Sequence, residues 1–160
     1  MLFLVEANEK YTGELAQFKK EVLLYDKNRT DQFAGCMGLR DCSTEKDWIK
    51  LCNLRKRTET CEQAGTTDPS TTYFAIRESD NRLVGVIDLR HHIDHPILGT
   101  WGGHCGYSVR PSERGKGYAN EMLRLNIQNA KRMGLSKLLV VCDETNAASE
   151  KTILANGGVF

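Results

Sequence analysis

The sequence predicts an α/β fold with a mixed, mostly antiparallel sheet flanked by helices. The first observation is the order of its periodic segments: a strand, two helices, three strands, a helix, a strand and a helix. The second is its length of 160 residues, which fits one domain with a buried core. The third is its composition of 40% hydrophobic and 27% charged residues, typical of a globular protein. We therefore expect residues 1–160 to form a single domain.

The N-terminal segments fit a short strand followed by a helix and a loop. Phe3 to Val5 is apolar and predicts the strand. Glu9 to Tyr25 places apolar residues on one helical face. Asp26 to Arg40 contains two glycines and many polar residues, so it predicts a loop.

A second helix is predicted from about Thr44 to Gln63. Its buried side would carry Trp48, Leu51, Cys52 and Arg55. We expect Ser43 to cap its start and Gly65 to end it, because these residue types favour those positions.

The middle of the chain changes to a strand pattern. Thr72 to Arg77 and Leu83 to Leu89 predict two strands joined by a hairpin turn at Ser79 to Arg82. His91 to Thr100, with Pro96, predicts a polar connection, and Gly103 to Val109 predicts a third strand of this group.

The last segments predict a long helix, a strand and a short helix. The long helix is predicted from Gly117 to Met133, and apolar residues spaced by four, four and three positions predict its buried face: Ala119, Leu123, Ile127 and Ala130. Lys137 to Cys142 is predicted to be a buried strand, and Asn146 to Asn156 a short helix.

Charge and hydropathy favour no nucleic-acid or membrane partner. The net charge is +1 and the sequence pI is about 7.6. The apolar start, Met1 to Val5, stops at Glu6 and lacks the basic region of a signal peptide. No segment approaches the roughly 18 apolar residues of a membrane span. We expect a cytoplasmic protein.

Cysteine and histidine spacing suggests no disulfide framework and no metal site. The six cysteines lack C-x-x-C pairs, so we expect thiols, with a catalytic Cys105 beside His104 as the alternative. The four histidines fit no compact ligand motif; they are His91, His92, His95 and His104. We interpret Arg90 to His92 as the rim of an acceptor site.

The run Arg114 to Ala119 is the most informative motif, because a strand precedes it and an amphipathic helix follows it. Free backbone N–H groups at the start of a helix, with glycines that permit close approach, form a seat for phosphates. The alternatives are a solvated surface turn and a nucleotide site at the same helix terminus. The pattern G-x-x-x-x-G-K-[ST] of a P-loop does not occur.

This motif resembles the cofactor motif R/Q-x-x-G-x-G/A of the GNAT superfamily of acyl-CoA-dependent N-acetyltransferases, with Arg114, Gly117 and Ala119 in its defined positions. A second region is also similar to the family through Asn146, Ser149 and Asn156-Gly157. The resemblance covers roughly the last 90 residues well. It implies direct transfer of an acetyl group from acetyl-CoA to an amine of a small molecule, peptide or protein. The alternative is an acyl-CoA-binding regulatory module with little or no catalysis.

The resemblance also assigns roles to individual residues. It implies that acetyl-CoA is bound by two groups of residues: the motif itself, which is Arg114, Gly115, Lys116, Gly117, Tyr118 and Ala119, and a second set, which is Tyr107, Ser108, Val109, Asn146 and Ser149. The catalytic candidates are the Tyr107 backbone N–H, aimed at the thioester carbonyl, and His104 as the base. Ile153 stands where the family usually has a tyrosine acid.

The family fold usually continues with one or two more strands after the Asn-x-Gly segment, whereas this chain stops at Phe160. Two readings stay open: the chain is truncated, or a partner supplies the missing strands. An uncovered sheet edge invites pairing, so we expect a homodimer or a soft C-terminal edge.

Overall fold

In the part of the chain that the structure describes, four antiparallel strands form one sheet and lie side by side in the order of the sequence. The computed structural model describes residues 1–94, 99 and 102–160. Its strands are Leu2–Glu6 (β1), Ser70–Arg77 (β2), Arg82–Arg90 (β3) and Tyr107–Val109 (β4). Its α-helices are Thr12–Tyr25 (α1), Glu45–Arg55 (α2), Tyr118–Arg132 (α3) and Ala147–Ala155 (α4). The predicted fold class, a mostly antiparallel sheet flanked by helices, is confirmed.

The helices α1 and α2 bury their apolar sides against one face of the sheet. Phe18 of α1, Trp48 of α2 and Phe74 of β2 are all inaccessible to solvent. The rings of Trp48 and Phe74 stack at 6.3 Å between centroids. This packing fixes α1 beside the start of β3, where the Leu83 N–H donates to Glu14 at 3.1 Å and where β4 later ends.

The opposite face of the sheet is covered by α3 and α4. Met122 and Leu123 of α3 pack against Val84 and Ile87 of β3, and Ile153 of α4 lies beside them. The predicted face of the long helix is rotated in the structure: Leu123 and Ala130 are buried, but Ala119 and Ile127 are only half-buried. Met122 and the polar Asn126 are buried instead, so one side chain on this face has a hydrogen-bonding role.

The second helix ends earlier than predicted. The prediction from Thr44 to Gln63 is wrong beyond Arg55, where α2 ends; a short 3₁₀ helix, Cys61–Ala64, follows after a turn. The Thr60 hydroxyl donates to the Leu54 carbonyl at 2.6 Å and so competes with helix continuation. The cap is Thr44 rather than Ser43, because the Thr44 hydroxyl accepts from the Asp47 N–H.

Two predicted strands differ in the structure: one is shorter than predicted, and the other does not form a regular strand. Within Gly103 to Val109 the regular ladder with β3 covers Tyr107–Val109; before it, the Gly106 and His104 carbonyls accept from the Asp88 and Arg90 N–H groups. Lys137 to Cys142 is not a buried strand: Leu139 and Val141 are each more than one-third exposed, and its one bridge joins Val140 to Cys105. In the described ranges no strand pairs with the outer edge of residues 137–142, so nothing covers that side.

Arg110 joins α1 to the end of β4. Its side chain is 5% exposed and donates to Glu14 at 2.8 Å and to Glu21, both on α1. Burial opposes ionisation of Glu21, but hydrogen bonds from Ser112 and Arg110 outweigh it and lower the pKa of this carboxyl. The Ser112 N–H also donates to Glu21 at 2.9 Å. One buried guanidinium thus holds the helix, the strand end and the following turn together.

No helix in the described ranges is long and apolar enough to cross a lipid bilayer. Half of the predicted connection from His91 to Thr100, including Pro96, lies outside the described residues.

We expect Arg110→Ala to lower the free energy of unfolding by about 3 kcal/mol, because it leaves two carboxylates without their buried partner. Arg124→Ala is the control, because the Arg124–Glu121 pair is exposed and its loss costs less than about 1 kcal/mol. Urea unfolding of both variants measures the difference. Equal costs would contradict the anchoring role of Arg110.

Candidate functional site

The turn between β4 and α3 presents a row of backbone amides without acceptors. Gly115 and Gly117 have φ angles of +78° and +81°, which glycine adopts without strain. Gly117 caps α3, and the first helical bond runs from the Glu121 N–H to the Gly117 carbonyl. In the part of the chain that the structure describes, no acceptor faces the amides from Gly115 to Asn120. Such amides at the positive end of a helix dipole attract anions.

The space in front of these amides is open. An added Cβ on Gly115 or Gly117 would meet no protein atom within 4 Å. A concavity of about 260 Å³ adjoins the helix start and is lined by Gly117, Asn120, Glu121 and Arg124. The turn therefore has room for a ligand, and the positive φ angles serve the turn itself.

The buried Glu113 fixes the turn against the β2–β3 hairpin. Its side chain is 6% exposed and pairs with Arg77, Arg82 and Lys116, each at 2.8 Å. Burial opposes ionisation of Glu113, but hydrogen bonds from Lys116 and Arg77 outweigh it, so its pKa is lowered. Arg77 also donates to the Tyr118 hydroxyl at 3.1 Å. The Tyr118 side chain thus helps hold the helix start in place.

The charged side chains of the motif have protein partners in this structure. Arg114 binds Asp26, at the end of α1, through two hydrogen bonds of 2.7 and 2.5 Å. It also donates to the Val109 carbonyl at 3.1 Å. Lys116 is bound to Glu113. The main-chain amides, rather than these two cations, are the groups left free, and Ala119 is half-buried in the first turn of α3.

β4 pairs on one side only. Tyr107 to Val109 pairs with β3, whereas on the other side the neighbouring segment makes a single bridge before it separates. The Arg110 N–H bonds the Val84 carbonyl, so alternate residues turn their main-chain groups toward β3. The N–H groups of Tyr107 and Val109 therefore face the open side. Ser108 points to the opposite face, where its hydroxyl donates to the Ala34 carbonyl at 2.6 Å.

Tyr107 also joins β4 to α4 through its side chain. Its hydroxyl lies 2.6 Å from the Ser149 hydroxyl, and burial raises the pKa of this half-buried phenol. Asn146 caps α4, because its Oδ1 accepts from the Ser149 N–H at 3.1 Å. Its Nδ2 donates to Asp31 at 3.2 Å. The structure thus brings Tyr107, Asn146 and Ser149 together at the open edge of β4, with Ile153 one helical turn further along.

His104 is buried and has a structural partner. Its ring Nδ1 accepts from the Leu139 N–H at 2.9 Å, and the backbone N–H of His104 donates to the Leu139 carbonyl at 2.8 Å. Burial, together with the charge of Arg90, lowers the pKa of His104. The ring is therefore neutral at pH 7, and the nitrogen that would take a proton is in use. The catalytic role of His104 stays a prediction that requires this bond to open.

Two functional candidates were missed by the sequence reasoning. Asp88 of β3 is buried, and its Oδ1 accepts from the Gly106 N–H at 2.6 Å, directly before β4. Asn126 of α3 is inaccessible and donates to the Asp88 carbonyl at 3.0 Å. The sequence does carry a signal for each: Asp88 is the acidic residue of β3, inside its two terminal arginines, and Asn126 follows the buried Leu123 by three positions.

The remaining cysteines and histidines form no reactive cluster. All six cysteines are free, and burial raises the pKa of Cys105 to about 12, which leaves the thiol protonated. His91 lies 2.8 Å from the Thr71 hydroxyl, and His92 lies 3.4 Å from Asp68. His95 lies outside the described residues. Within residues 1–94, 99 and 102–160, no three metal-ligating side chains come together.

Comparison with known families identifies the domain type. Residues 45–159 match the family model for the acetyltransferase (GNAT) domain. No curated protein matches the chain.

The chain also matches solved structures. One is RimL, a ribosomal L7/L12 alpha-N-protein acetyltransferase in complex with coenzyme A, at 19% identity and a TM-score of 0.64, covering 97% of this chain and 78% of RimL. A second is the microcin C7 self-immunity acetyltransferase MccE in complex with acetyl-CoA and AMP. The identity is 19% and the TM-score 0.61, and the match covers 98% of this chain and 77% of MccE. A third is a Vibrio cholerae protein with the provisional name of ribosomal-protein-serine acetyltransferase. The identity is 18% and the TM-score 0.62, and the match covers 98% of this chain and 78% of that protein.

Gly117→Ala is expected to weaken coenzyme A binding at least about tenfold, because a methyl group would stand where phosphate must approach the backbone. Gly134→Ala is a matched control. Gly134 also has a positive φ, of +89°, and no protein atom within 4 Å of an added Cβ, but it lies just after the other end of α3. Both variants should lose similar stability, about 1 kcal/mol. Titration calorimetry compares them, and equal coenzyme A affinity would contradict the proposed seat.

We expect His104 to make folding pH-sensitive. Its folded-state pKa is lowered, so the unfolded chain binds the proton more tightly and stability falls as the pH drops below about 6.5. His104→Asn keeps an acceptor for Leu139 but does not titrate, so it should lose less stability than the wild type between about pH 7 and pH 5. Urea unfolding at several pH values measures this. Identical pH dependence in both proteins would contradict the assignment.

Proposed function

The chain belongs to the GNAT acetyltransferase family, and from this we propose that it transfers the acetyl group of acetyl-CoA directly to an amine at the open edge of β4. The observation that carries the proposal is the row of amides without acceptors at the start of α3, next to a strand with one unpaired side. A helix start suits a pyrophosphate, and an unpaired strand edge suits an extended chain with amide groups. Acetyl-CoA carries both groups.

We propose that the cofactor is held mostly by main-chain atoms. The amides from Gly115 to Ala119 bind the pyrophosphate, and Tyr107 to Val109 pair with the pantetheine arm as an added strand would. Lys116 adds charge when it leaves Glu113, while Arg114 keeps the turn in position through Asp26. Asn146 and Ser149 line the other side of the arm.

The chemistry needs a neutral amine and a stabilised carbonyl oxygen. In the proposal, the Tyr107 N–H donates to the thioester carbonyl oxygen, where negative charge develops during attack. The amine loses its proton to water, or to His104 once Leu139 releases Nδ1. As the C–N bond forms, the C–S bond would break, and the departing coenzyme A thiolate would take a proton from water, since Ile153 has none to donate. Acetyl-CoA supplies the activated acetyl group, and the protein supplies position and hydrogen bonds.

The acceptor is proposed to enter beside the loop from Asp26 to Arg40. Asp31 on this loop accepts from Asn146 beside the open strand edge and is paired with Arg29 at 2.7 Å, so a cationic amine would approach a carboxylate that already has one cationic partner. The hydrogen bonds from Arg29 lower the pKa of Asp31 by more than burial raises it, so this carboxylate is charged. RimL acts on a protein α-amine, so peptide α-amines belong with small amines among the acceptors to test.

Location and assembly form a further part of the proposal. We propose that the chain acts in the cytoplasm, as its sequence predicts. The unpaired edge of residues 137–142 and the exposed Leu139, Val141 and Leu154 support pairing with a second copy. The near-neutral net charge of +1 gives nucleic acid no general attraction.

The test is acetyl-CoA-dependent thiol release with a panel of peptide α-amines, lysine side-chain amines and small amines, followed by mass spectrometry of the products. We expect release and acetylated product with at least one class, and much weaker turnover in Gly117→Ala at low acetyl-CoA. Binding of coenzyme A without release for any amine would favour the regulatory-module reading. No binding at all would reject the site.

A further inference from the structure

A buried carboxylate interrupts the β3–β4 ladder at the residue before the catalytic candidate Tyr107. In a regular antiparallel ladder the Gly106 N–H would donate to the main-chain carbonyl of Asp88. Here the Asp88 carbonyl accepts from Asn126 at 3.0 Å instead. The Gly106 N–H donates to the Asp88 side chain at 2.6 Å. The Asp88 N–H still donates to the Gly106 carbonyl at 3.0 Å.

This arrangement determines the direction of the next peptide group. The peptide between Gly106 and Tyr107 is planar and trans, so its C=O and N–H point in opposite directions. Because its carbonyl is fixed on Asp88 of β3, the Tyr107 N–H is turned away from β3 toward the open edge. The Asp88 oxygen holds the peptide on the other side of Gly106, so both bonds restrain rotation.

The opposite face of Gly106 is closed by the loop that follows α1. A Cβ on Gly106 would lie 2.9 Å from the Gly35 nitrogen, so the two backbones are in contact. Gly35 has a φ of +78°, and a Cβ there would collide with the Gly106 carbonyl. Gly106 is therefore held by hydrogen bonds from β3 and by contact with Gly35.

We propose that Asp88 is a positioning residue for acetyl transfer: with Asn126 and Gly35 it fixes the Gly106–Tyr107 peptide so that the Tyr107 N–H meets the thioester carbonyl oxygen. This inference rests on the proposed function. Asp88 does not touch the substrate; it acts through Gly106. The Asp88 side chain takes the place of the main-chain carbonyl that Asn126 of α3 binds; burial raises the pKa of this carboxyl, and Arg90 lies 3.6 Å from its second oxygen.

The substitutions Asp88→Ala and Asp88→Asn separate this role from packing. Asp88→Ala removes the acceptor for the Gly106 N–H, so we expect kcat to fall at least about tenfold with coenzyme A affinity nearly unchanged. Asp88→Asn keeps a carbonyl oxygen and should restore most of kcat. Thr72→Val is the matched control: Thr72 is the register partner of Asp88 on β2 and is equally buried, but has no bond to Gly106.

A second readout does not depend on turnover. In the wild-type protein the Gly106 amide proton should resonate downfield and exchange slowly with deuterium, because its acceptor is a buried carboxylate. This measurement stands even where Asp88→Ala fails to fold. A fast-exchanging Gly106 amide in the wild type, or wild-type kcat in a folded Asp88→Ala, would overturn the inference.

The outcomes also distinguish the two proposals. Wild-type thiol release with a loss confined to Asp88→Ala supports both. Wild-type thiol release that Asp88→Ala retains rejects the positioning role and leaves the proposed function standing. No thiol release by the wild type rejects the proposed function and, with it, the catalytic purpose of the Asp88–Gly106 bond. Equal losses in Asp88→Ala and Thr72→Val assign the effect to packing and reject the positioning role.

Discussion

The position of the site depends on one buried guanidinium. Arg110 lies at the point where β4 ends and the glycine-bearing turn begins, and it binds two carboxylates of α1. The same helix ends at Asp26, which binds Arg114 four residues further along the turn. Since α1 is itself packed through Phe18 against the sheet, its carboxylates act as fixed points. The amides that follow Arg114 are placed by this helix as much as by α3, whose start they form.

Most charges around the turn are paired within the protein. Glu113 and Asp80 together face Arg77, Arg82 and Lys116, which leaves this cluster one net positive charge, and Asp26 pairs with Arg114. The attraction for a dianionic group then comes from this residual charge and from oriented peptide dipoles, which are held in place before binding and need no rearrangement. Such a site keeps its geometry when salt screens the exposed side chains.

Local sequence patterns predicted most elements of the fold, but they did not predict where α2 ends or where β4 begins. The spacing of Leu15, Phe18 and Val22 and the glycines beside Lys116 are local signals, so the first helix and the motif were predicted where they occur. The early end of α2 depends on Thr60 reaching back to Leu54. The short β4 depends on Asp88, a residue 18 positions from Gly106. Individual side-chain bonds of this kind, whether they span 6 or 18 positions, leave no periodic trace, so the patterns predicted a longer helix and a longer strand.

The contact between Gly35 and Gly106 has a consequence for how an acceptor would be chosen. The loop after α1 is held in place by two contacts. Phe33, with a φ of +61°, is buried beside Phe18, and the Ala34 carbonyl accepts from the Ser108 hydroxyl. Because this loop is held in place before an acceptor binds, it loses little conformational entropy on binding. It also adapts poorly to acceptors of another shape. Selectivity at this loop would then come from preformed shape, and broadening it would require loosening the backbone at these glycines rather than exchanging exposed side chains.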